Sequence, residues 1–316
     1  MTRLVVYVGA SEGYTAAKRV LEGVAEVCHV KAETEILEAA LKKADALLDA
    51  SMKVRITNEM LANAENLVII SCATTGSDHI FRKDGIEQKV EIRTLKENSD
   101  LLSNLTPAAE LSWALLMACA RKLKGALHHV AEGNWVREDF PGVMLNGKKL
   151  GLIGCGRIGG WMARYAQAFG MEVIGYDPYL AMVPSPIKKV SIDEVFKYSD
   201  FISIHVHLSS ETENLVSREL LQLTKKGVIL INTSRGQIVD EGALLVGLKN
   251  GHIAAAGLDV ITGEPDIRNH PLVLYSRDND NLLITPHCGG FSPDAVKLVC
   301  AKAAEKIKIK LMEAKK

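Results

Sequence analysis

The chain has 316 residues, which is more than one hydrophobic core usually supports, so two domains are expected. Its 38 basic and 38 acidic side chains balance, which leaves no overall positive field of the kind that attracts nucleic acid phosphates. Short apolar runs are broken by Gly, Asp and Lys, and none is long enough to cross a bilayer. These features predict a globular protein that acts on a small molecule, not on nucleic acid or a membrane.

The first hundred residues alternate between short apolar runs and amphipathic segments. In order these are LVVYVG, TAAKRVLEGVA, ADALLDA, ITNEMLANA and NLVIISCA. This alternation is typical of βα units that feed a parallel sheet. The N-terminal MTRLVVYVGASEG lacks a long apolar region and a small-residue cleavage site, so we expect a cytoplasmic protein. The six cysteines form no C-x-x-C pair, which is typical of reduced thiols.

A second alternating series predicts a second parallel sheet. It runs through KKLGLIGCGRIGG, MEVIGYD, FISIHVHL, GVILINTS, AAAGLDV and NLLITPH. Between the two series, residues 107–131 contain strong helix formers and are interpreted as one long helix that links the domains. The C-terminal tail predicts a helix that opens at Ser292 or Pro293 and packs on the first domain. The expected fold class is α/β, with two Rossmann-like or flavodoxin-like domains, parallel sheets and long linking helices.

The segment Gly154-Cys155-Gly156-Arg157-Ile158-Gly159 follows a predicted strand and precedes a predicted helix. In this spacing the first glycine permits a tight turn, the second lets a diphosphate approach the backbone, and the third allows close helix-to-strand contact. The diphosphate would lie at the positive N-terminal end of the helix. Glycine-rich turns are common, so the pattern alone is weak, but its strand and helix context favours dinucleotide binding.

Asp177 ends the next predicted strand, at the position where a dinucleotide-binding fold has its ribose-binding acid. A carboxylate there accepts hydrogen bonds from a ribose 2′-hydroxyl and repels a 2′-phosphate. Pro178 and Tyr179 supply no cation for such a phosphate, so NAD is favoured over NADP. The alternative interpretation of Asp177 is a turn residue before proline.

Polar residues follow three further strands: Arg235 in INTSRG, Asp259 and Glu264 in GLDVITGEP, and His287 in LLITPHCGG. The carboxyl ends of parallel strands meet at one edge of a sheet, so these groups are expected to converge. A guanidinium binds a carboxylate bidentately, and an imidazole exchanges protons near neutral pH, which suits carbonyl reduction. Taken singly, each residue also fits a surface cation, a turn carboxylate or a structural histidine.

Motifs along nearly the whole chain resemble those of the D-isomer-specific 2-hydroxyacid dehydrogenases, a family that contains D-3-phosphoglycerate dehydrogenase and glyoxylate reductase. The matching segments are SCATTGSDHI, TPAAELSWALLMACAR, GLIGCGRIG, HVHLSSET, INTSRG, AAAGLDVITGEP and TPHCGG. The resemblance implies a substrate domain at residues 1–103 plus 289–316 and an NAD-binding domain at 104–288. It also implies a homodimer formed through the cofactor domain.

The resemblance further implies NAD-dependent interconversion of a D-2-hydroxy acid and its 2-keto acid. Arg235 would bind the substrate carboxylate, and His287, paired with Glu264, would be the acid for reduction and the base for oxidation. Asp259 would lie by the nicotinamide carboxamide. The other implied cofactor contacts are Val206, Thr233, Ser234 and Gly289. From the other domain, backbone amides around Thr75 and Gly76 would meet the substrate carboxylate, and the cleft would close on binding. The loop with Met52 and Lys53 is the candidate contact for the substrate side chain.

Some positions depart from the family pattern. Phosphoglycerate-type enzymes usually carry a cation immediately before Ser51, where this chain has Ala50, which weakens that substrate assignment. Lys53 or Arg55 is an alternative source of charge for an acidic substrate. Phosphite oxidation on the same scaffold and an NADH-sensing corepressor are the competing hypotheses, while Glu264 argues against formate oxidation. Turnover of 2-keto acids distinguishes an enzyme from a sensor.

Overall fold

A computed structural model describes residues 3–77, 79–80 and 90–313. The chain divides into two compact units, a first unit of Met1–Leu105 with Gly290–Lys316 and a second unit of Thr106–Gly289. Within the described ranges, no helix combines the length and the apolar character that crossing a membrane requires.

The first unit contains a parallel five-stranded sheet. Its strands are β1 (Arg3–Val8), β2 (Ala25–Val30), β3 (Ala46–Asp49), β4 (Ile69–Cys72) and β5 (Glu91–Arg93), in the order β2-β1-β3-β4-β5. Its helices are α1 (Ser11–Leu21), α2 (Thr34–Leu41), α3 (Asn58–Ala62), α4 (Ser99–Ser103) and α12 (Pro293–Glu313).

Both faces of this first sheet are buried, because side chains alternate along each strand. Val6 and Val8 of β1 point into one core, which also contains side chains of α2 and α3. Val5 and Tyr7 point into the other core, which also contains side chains of α1 and α12. The C-terminal helix therefore completes the first unit, as the amphipathic tail predicts.

The second unit contains a parallel seven-stranded sheet. Its strands are β6 (Lys149–Ile153), β7 (Glu172–Tyr176), β8 (Lys188–Lys189), β9 (Phe201–Ile204), β10 (Val228–Asn232), β11 (Ile253–Leu258) and β12 (Leu282–Ile284). Its helices are α5 (Pro107–Ala120), α6 (Leu123–Ala131), α7 (Arg157–Ala168), α8 (Ile192–Tyr198), α9 (Arg218–Leu223), α10 (Glu241–Lys249) and α11 (Pro271–Asp278), with 3-10 turns at Arg137–Asp139 and Gly236–Ile238.

The strand order of this second sheet is β12-β11-β10-β9-β6-β7-β8. The chain runs outward from β6 in one direction through β7 and β8, then returns to β9 and continues in the other direction. The order therefore reverses between β6 and β9, and in such sheets ligands bind outside the carboxyl ends of the strands at this reversal. Two α/β domains with parallel sheets confirm the predicted fold class.

The expectation of one long helix over residues 107–131 is wrong. α5 ends at Ala120 and α6 begins at Leu123, and between them Lys122 has a left-handed backbone with φ 50°. The break redirects α6 so that the Lys124 ammonium donates to the carbonyl oxygens of Asn279 at 2.9 Å and Leu282 at 3.2 Å. These contacts between residues distant in sequence outweigh the local helix propensity of the segment.

Candidate active site

The glycine-rich loop after β6 has the conformation that its spacing predicts. Gly154 has φ 91°, and a Cβ there would lie 2.5 Å from the carbonyl oxygen of His205. A Cβ on Gly159 would lie 2.2 Å from the carbonyl oxygen of Gly154, so the first turn of α7 packs directly on the loop. At Gly156, which caps α7, an added Cβ would meet no atom within 4 Å. The loop is thus closely packed at two glycines and open at the helix N-terminus, which fits a diphosphate.

The first two residues of α7 follow the open glycine. Arg157 is the first residue of the helix and is half-buried, and burial lowers the pKa of its guanidinium. Ile158 is also half-buried and packs against the apolar core between the sheet and α5. Arg157 therefore follows the open glycine directly, whereas the Ile158 side chain contributes to the core.

Asp177, directly after β7, is joined to this loop by a hydrogen bond. Its Oδ2 accepts from the backbone N–H of Cys155 at 3.0 Å. Its Oδ1 accepts from the N–H of Tyr179 at 3.0 Å and of Leu180 at 3.3 Å. A carboxylate offers about four acceptor positions, so about one remains for a ribose hydroxyl. The residues of the loop and of β7 therefore fit an adenine dinucleotide without a 2′-phosphate.

The ends of β9 and β10 contribute three more predicted cofactor residues at the same edge. Val206 lies against Gly154, since an added Cβ there would be 2.9 Å from the valine Cγ1. The Ser234 hydroxyl donates to the carbonyl oxygen of Ile204 at 2.8 Å. The Thr233 hydroxyl lies 2.7 Å from that of Ser112, a buried residue of α5. The first bond joins the ends of β10 and β9, and the second joins the end of β10 to α5.

Arg235 follows β10 in a turn that the side chain of Asn232 holds in place. Asn232 is not among the site residues that the sequence predicts. The Asn232 side chain is 1% exposed; its Nδ2 donates to the Arg235 carbonyl at 2.9 Å, and its Oδ1 accepts from the Ser234 N–H at 3.0 Å. The Arg235 guanidinium is half-buried and donates to the Ser234 carbonyl at 2.8 Å. The sequence signal for Asn232 is a side-chain amide at the end of a strand, directly before the three polar residues Thr233, Ser234 and Arg235.

Glu264 and His287 are brought into direct contact from two neighbouring strand ends. The His287 Nδ1 lies 2.7 Å from the Glu264 Oε1. The side chains are 39% and 30% exposed, respectively, so both are reachable from solvent. Because an ionised carboxylate only accepts hydrogen bonds, Nδ1 carries the proton of this bond, and Nε2 is the ring nitrogen available to a ligand.

Asp259 holds the backbone that carries His287. Its carboxylate is 1% exposed and accepts from the N–H of Cys288 at 2.9 Å, the N–H of Gly289 at 2.7 Å and the hydroxyl of Thr285 at 2.5 Å. His287 itself has φ 53°, a conformation that is uncommon for a residue with a side chain. The ring of hydrogen bonds around Asp259 stabilises this conformation.

The Arg235 turn and the loop that carries Glu264 are in contact. A Cβ on Gly236 would lie 2.2 Å from both the Ile261 carbonyl carbon and the Thr262 nitrogen. The Thr262 N–H in turn donates to the Glu241 carboxylate at 2.8 Å. The absence of a side chain at Gly236 is therefore what allows the end of β10 to approach the loop after β11.

The predicted substrate residues of the first unit lie on two loops at the carboxyl edge of its sheet. Met52 and Lys53 follow β3; Met52 is half-buried, with φ 55°, and Lys53 is exposed. Thr75 and Gly76 follow the neighbouring β4 and are half-buried. The Thr74 hydroxyl donates to the Gly76 carbonyl at 2.8 Å, which shapes this second loop.

Comparison with known proteins finds matches to one protein family in both units. The NAD binding domain of the D-isomer specific 2-hydroxyacid dehydrogenases matches residues 113–289, and the catalytic domain of that family matches residues 8–81. The D-3-phosphoglycerate dehydrogenase of Methanocaldococcus jannaschii is 38% identical over 298 residues, which cover 92% of this chain and 55% of that protein. The hydroxypyruvate reductase of Thermotoga maritima is 37% identical over 285 residues, which cover 89% of this chain and 90% of that protein.

Among solved structures, the D-lactate dehydrogenase of Aquifex aeolicus, complexed with NAD and lactic acid, has a TM-score of 0.84. It is 26% identical, and the match covers 98% of this chain and 96% of that one. The chain belongs to the D-isomer specific 2-hydroxyacid dehydrogenase family. It spans about half the length of the D-3-phosphoglycerate dehydrogenase that it matches.

Proposed function

We propose that the protein is an NAD-dependent dehydrogenase that interconverts a D-2-hydroxy acid and its 2-keto acid. The observation that carries this proposal is the hydrogen bond of 2.7 Å between His287 and Glu264, at the edge of the sheet that also carries the dinucleotide loop. A histidine oriented by a carboxylate is well suited to general acid–base catalysis.

In reduction, bound NADH supplies a hydride to the keto carbon. His287 donates the proton from Nε2 to the keto oxygen, while Glu264 stabilises the protonated ring and fixes its orientation through Nδ1. In oxidation, the neutral Nε2 takes the hydroxyl proton. Arg235 binds the substrate carboxylate through two parallel N–H donors and brings the carbonyl into register with the ring.

The proposed cofactor residues lie at the same edge of the second sheet, where the carboxyl ends of its strands meet. Gly154, Gly156, Arg157, Ile158 and Gly159 hold the diphosphate, and Asp177 binds the adenosine ribose. Val206, Thr233, Ser234 and Gly289 line the cofactor, and Asp259 lies by the nicotinamide carboxamide. The open acceptor position on Asp177 and the clearance at Gly156 support this assignment.

The first unit supplies substrate specificity in this proposal. Backbone amides at Thr75 and Gly76 bind the substrate carboxylate, and the loop with Met52 and Lys53 meets the substrate side chain. Because Ala50 is uncharged, the exposed Lys53 is the nearest cation along this loop for an acidic substrate. The domain at residues 1–103 plus 289–316 is then the substrate domain, and 104–288 the cofactor domain.

We further propose a cytoplasmic homodimer that forms through the cofactor domain. Three large apolar side chains of this domain support the dimer: Leu127, Trp135 and Met144 are 70%, 88% and 72% exposed in the single chain. The three lie within residues 127–144 of the chain, and contiguous exposed apolar surface is typical of protein interfaces. All six cysteines are free thiols, which supports a reducing compartment.

The experiment that tests the activity measures NADH oxidation with a panel of 2-keto acids: glyoxylate, hydroxypyruvate, pyruvate, 2-oxoglutarate and phosphohydroxypyruvate. We expect turnover of at least one, and the ranking reports whether Lys53 favours an acidic side chain. Tight NADH binding without turnover of any would contradict the proposal and favour an NADH sensor. A control with phosphite and NAD distinguishes phosphite oxidation.

A further inference from the structure

A buried carboxylate at the end of β3 organises the loop that follows it. Asp49 is 1% exposed, and its Oδ1 accepts from the Ser51 N–H at 2.8 Å, the Ser51 hydroxyl at 3.1 Å and the Met52 N–H at 3.1 Å. The Ser51 hydroxyl oxygen then accepts from the N–H of Lys53 at 3.3 Å. The backbone of residues 51–53 is therefore built around one carboxylate oxygen.

The other carboxylate oxygen is bound by a histidine from the next loop of the sheet. The His79 Nε2 lies 2.8 Å from the Asp49 Oδ2, and the two side chains are 9% and 2% exposed. The His79 backbone carbonyl accepts from the Ile56 N–H at 3.0 Å, and Ile56 pairs with Ile80 in a short parallel bridge. His79 thus joins the segment after β4 to the segment after β3 through both its side chain and its main chain.

The charge of Asp49 makes these bonds necessary. Burial by itself would raise the pKa of the Asp49 carboxyl, but the hydrogen bond and charge of His79, with the N–H groups of Ser51 and Met52, leave that pKa below its ordinary value. The group is therefore an anion at neutral pH, and a buried anion without its partners is strongly unfavourable.

The conformation of the loop depends on the same carboxylate. Met52 has φ 55°, which a residue with a side chain adopts only when its surroundings impose it. The N–H of Met52 is held by Asp49, and the described part of the chain offers the Nδ1 of His79 no hydrogen-bond partner. The bond to Asp49 is thus the side-chain hydrogen bond that orients the His79 ring, and the ring in turn holds the Asp49 Oδ2 in place.

We propose that Asp49 and His79 are positioning residues, which lock residues 51–53 and residues 74–77 together and thereby set the affinity for the 2-keto acid. The pair acts through the backbone of Met52 and Lys53 and does not itself touch the substrate. This inference rests on the proposed function, which assigns substrate binding to these two loops.

The test compares His79→Ala, His79→Gln and Asp49→Asn with the wild-type full-length protein. The measurements are KM and kcat for the best 2-keto acid, the Kd for NADH, the Tm, and amide hydrogen exchange in both loops. His252→Ala is the matched control, because it removes a histidine side-chain hydrogen bond of 2.9 Å to Thr224. Both residues precede strands of the second sheet and therefore lie at its amino ends, away from the carboxyl ends that carry the candidate site.

We expect His79→Ala to raise KM about tenfold, the effect of one lost hydrogen bond to a charged group, with kcat changed by less than about threefold. The Kd for NADH stays at the wild-type value, and both loops exchange faster. His79→Gln restores most of the affinity, because its amide N–H reaches toward the position of Nε2 and donates to Asp49. Asp49→Asn raises KM in the same direction.

An unchanged KM in folded His79→Ala, or an equal rise in His252→Ala, would overturn the proposal. Failure of the glutamine to restore affinity also counts against it. If the wild-type protein turns over no 2-keto acid, the proposed function fails, and the exchange measurement still tests the lock. Unchanged exchange in residues 50–56 and 73–77 of both His79→Ala and Asp49→Asn then refutes it.

Discussion

The His287 N–H donates to the backbone carbonyl of Asp259 at 2.9 Å, while the Asp259 carboxylate binds the two residues that follow the histidine. The same aspartate therefore holds the backbone on both sides of the His287 side chain. Because His287 has φ 53°, its ring direction depends on a backbone that an isolated peptide rarely adopts. In the proposed mechanism Asp259 therefore acts through His287, besides any contact with the cofactor.

Asp259→Asn tests this relationship. The asparagine replaces one acceptor oxygen by an NH₂ donor, which then faces N–H groups of Cys288 or Gly289 or the Thr285 hydroxyl. We expect kcat to fall roughly 10- to 100-fold, since a buried donor loses its partner. Steady-state kinetics and Tm are the measurements. A wild-type kcat would mean that the loop keeps its conformation without the carboxylate.

His287→Gln tests proton transfer. The glutamine cannot exchange a proton near neutral pH, so we expect kcat to fall on the order of 10²- to 10⁴-fold, while the Kd for NADH is unchanged. Glu264→Gln keeps a hydrogen-bond acceptor at the His287 Nδ1 but removes the charge, so its loss is expected to be smaller. Steady-state kinetics measures the loss of kcat in each variant, and a fluorescence titration with NADH measures the Kd separately. Turnover near wild type in His287→Gln removes this residue from the mechanism.

Arg235→Lys tests the carboxylate contact. The lysine keeps the positive charge and loses the planar pair of donors, so we expect KM for the 2-keto acid to rise roughly 10- to 100-fold. The Kd for NADH serves as the internal control and should not change. The role assigned to Arg235 is refuted by an unaltered KM.

Asp177→Ala tests cofactor choice. Removal of the carboxylate abolishes its repulsion of a 2′-phosphate and its acceptor for the ribose, so the ratio of kcat/KM for NADH over NADPH should fall by at least about tenfold. The Cys155 N–H also loses its partner, so Tm is measured in parallel. If the preference persists in the folded variant, another group reads the ribose.

His205→Asn tests a pH dependence of stability. Burial lowers the pKa of His205 to about 3 in the folded protein, whereas an unfolded histidine has a pKa of about 6.5. Between these values the unfolded chain binds a proton that the folded chain does not, so the free energy of unfolding falls as the pH falls below about 6.5. The contribution approaches about 1.4 kcal/mol per pH unit.

We expect His205→Asn to flatten this decrease, as measured by urea unfolding between about pH 4.5 and 7.5. At the upper end of that range the histidine is neutral in both states, so the variant there reports the loss of its 2.8 Å contact with the Ser203 hydroxyl together with the change in packing. Parallel curves for variant and wild type contradict the assignment of a buried neutral ring.

The sequence by itself determined the two parallel sheets, the dinucleotide loop and the residue types at the strand ends. These features are local: strand and helix periods repeat over a few residues, and the spacing of Gly154, Gly156 and Gly159 is dictated by one turn. The convergence of Glu264 and His287 follows as well, because the carboxyl ends of parallel strands share an edge.

The tertiary structure alone decided how the buried polar groups outside the predicted catalytic pair find their partners. Asp49 and His79 are 30 positions apart, and no periodic pattern links them. The break at Lys122 and the bonds of Asn232 and Asp259 likewise depend on carbonyls and N–H groups brought close by packing. A buried polar group must find a partner wherever the folded chain supplies one, and that partner is fixed by distance in space, which local sequence patterns do not encode.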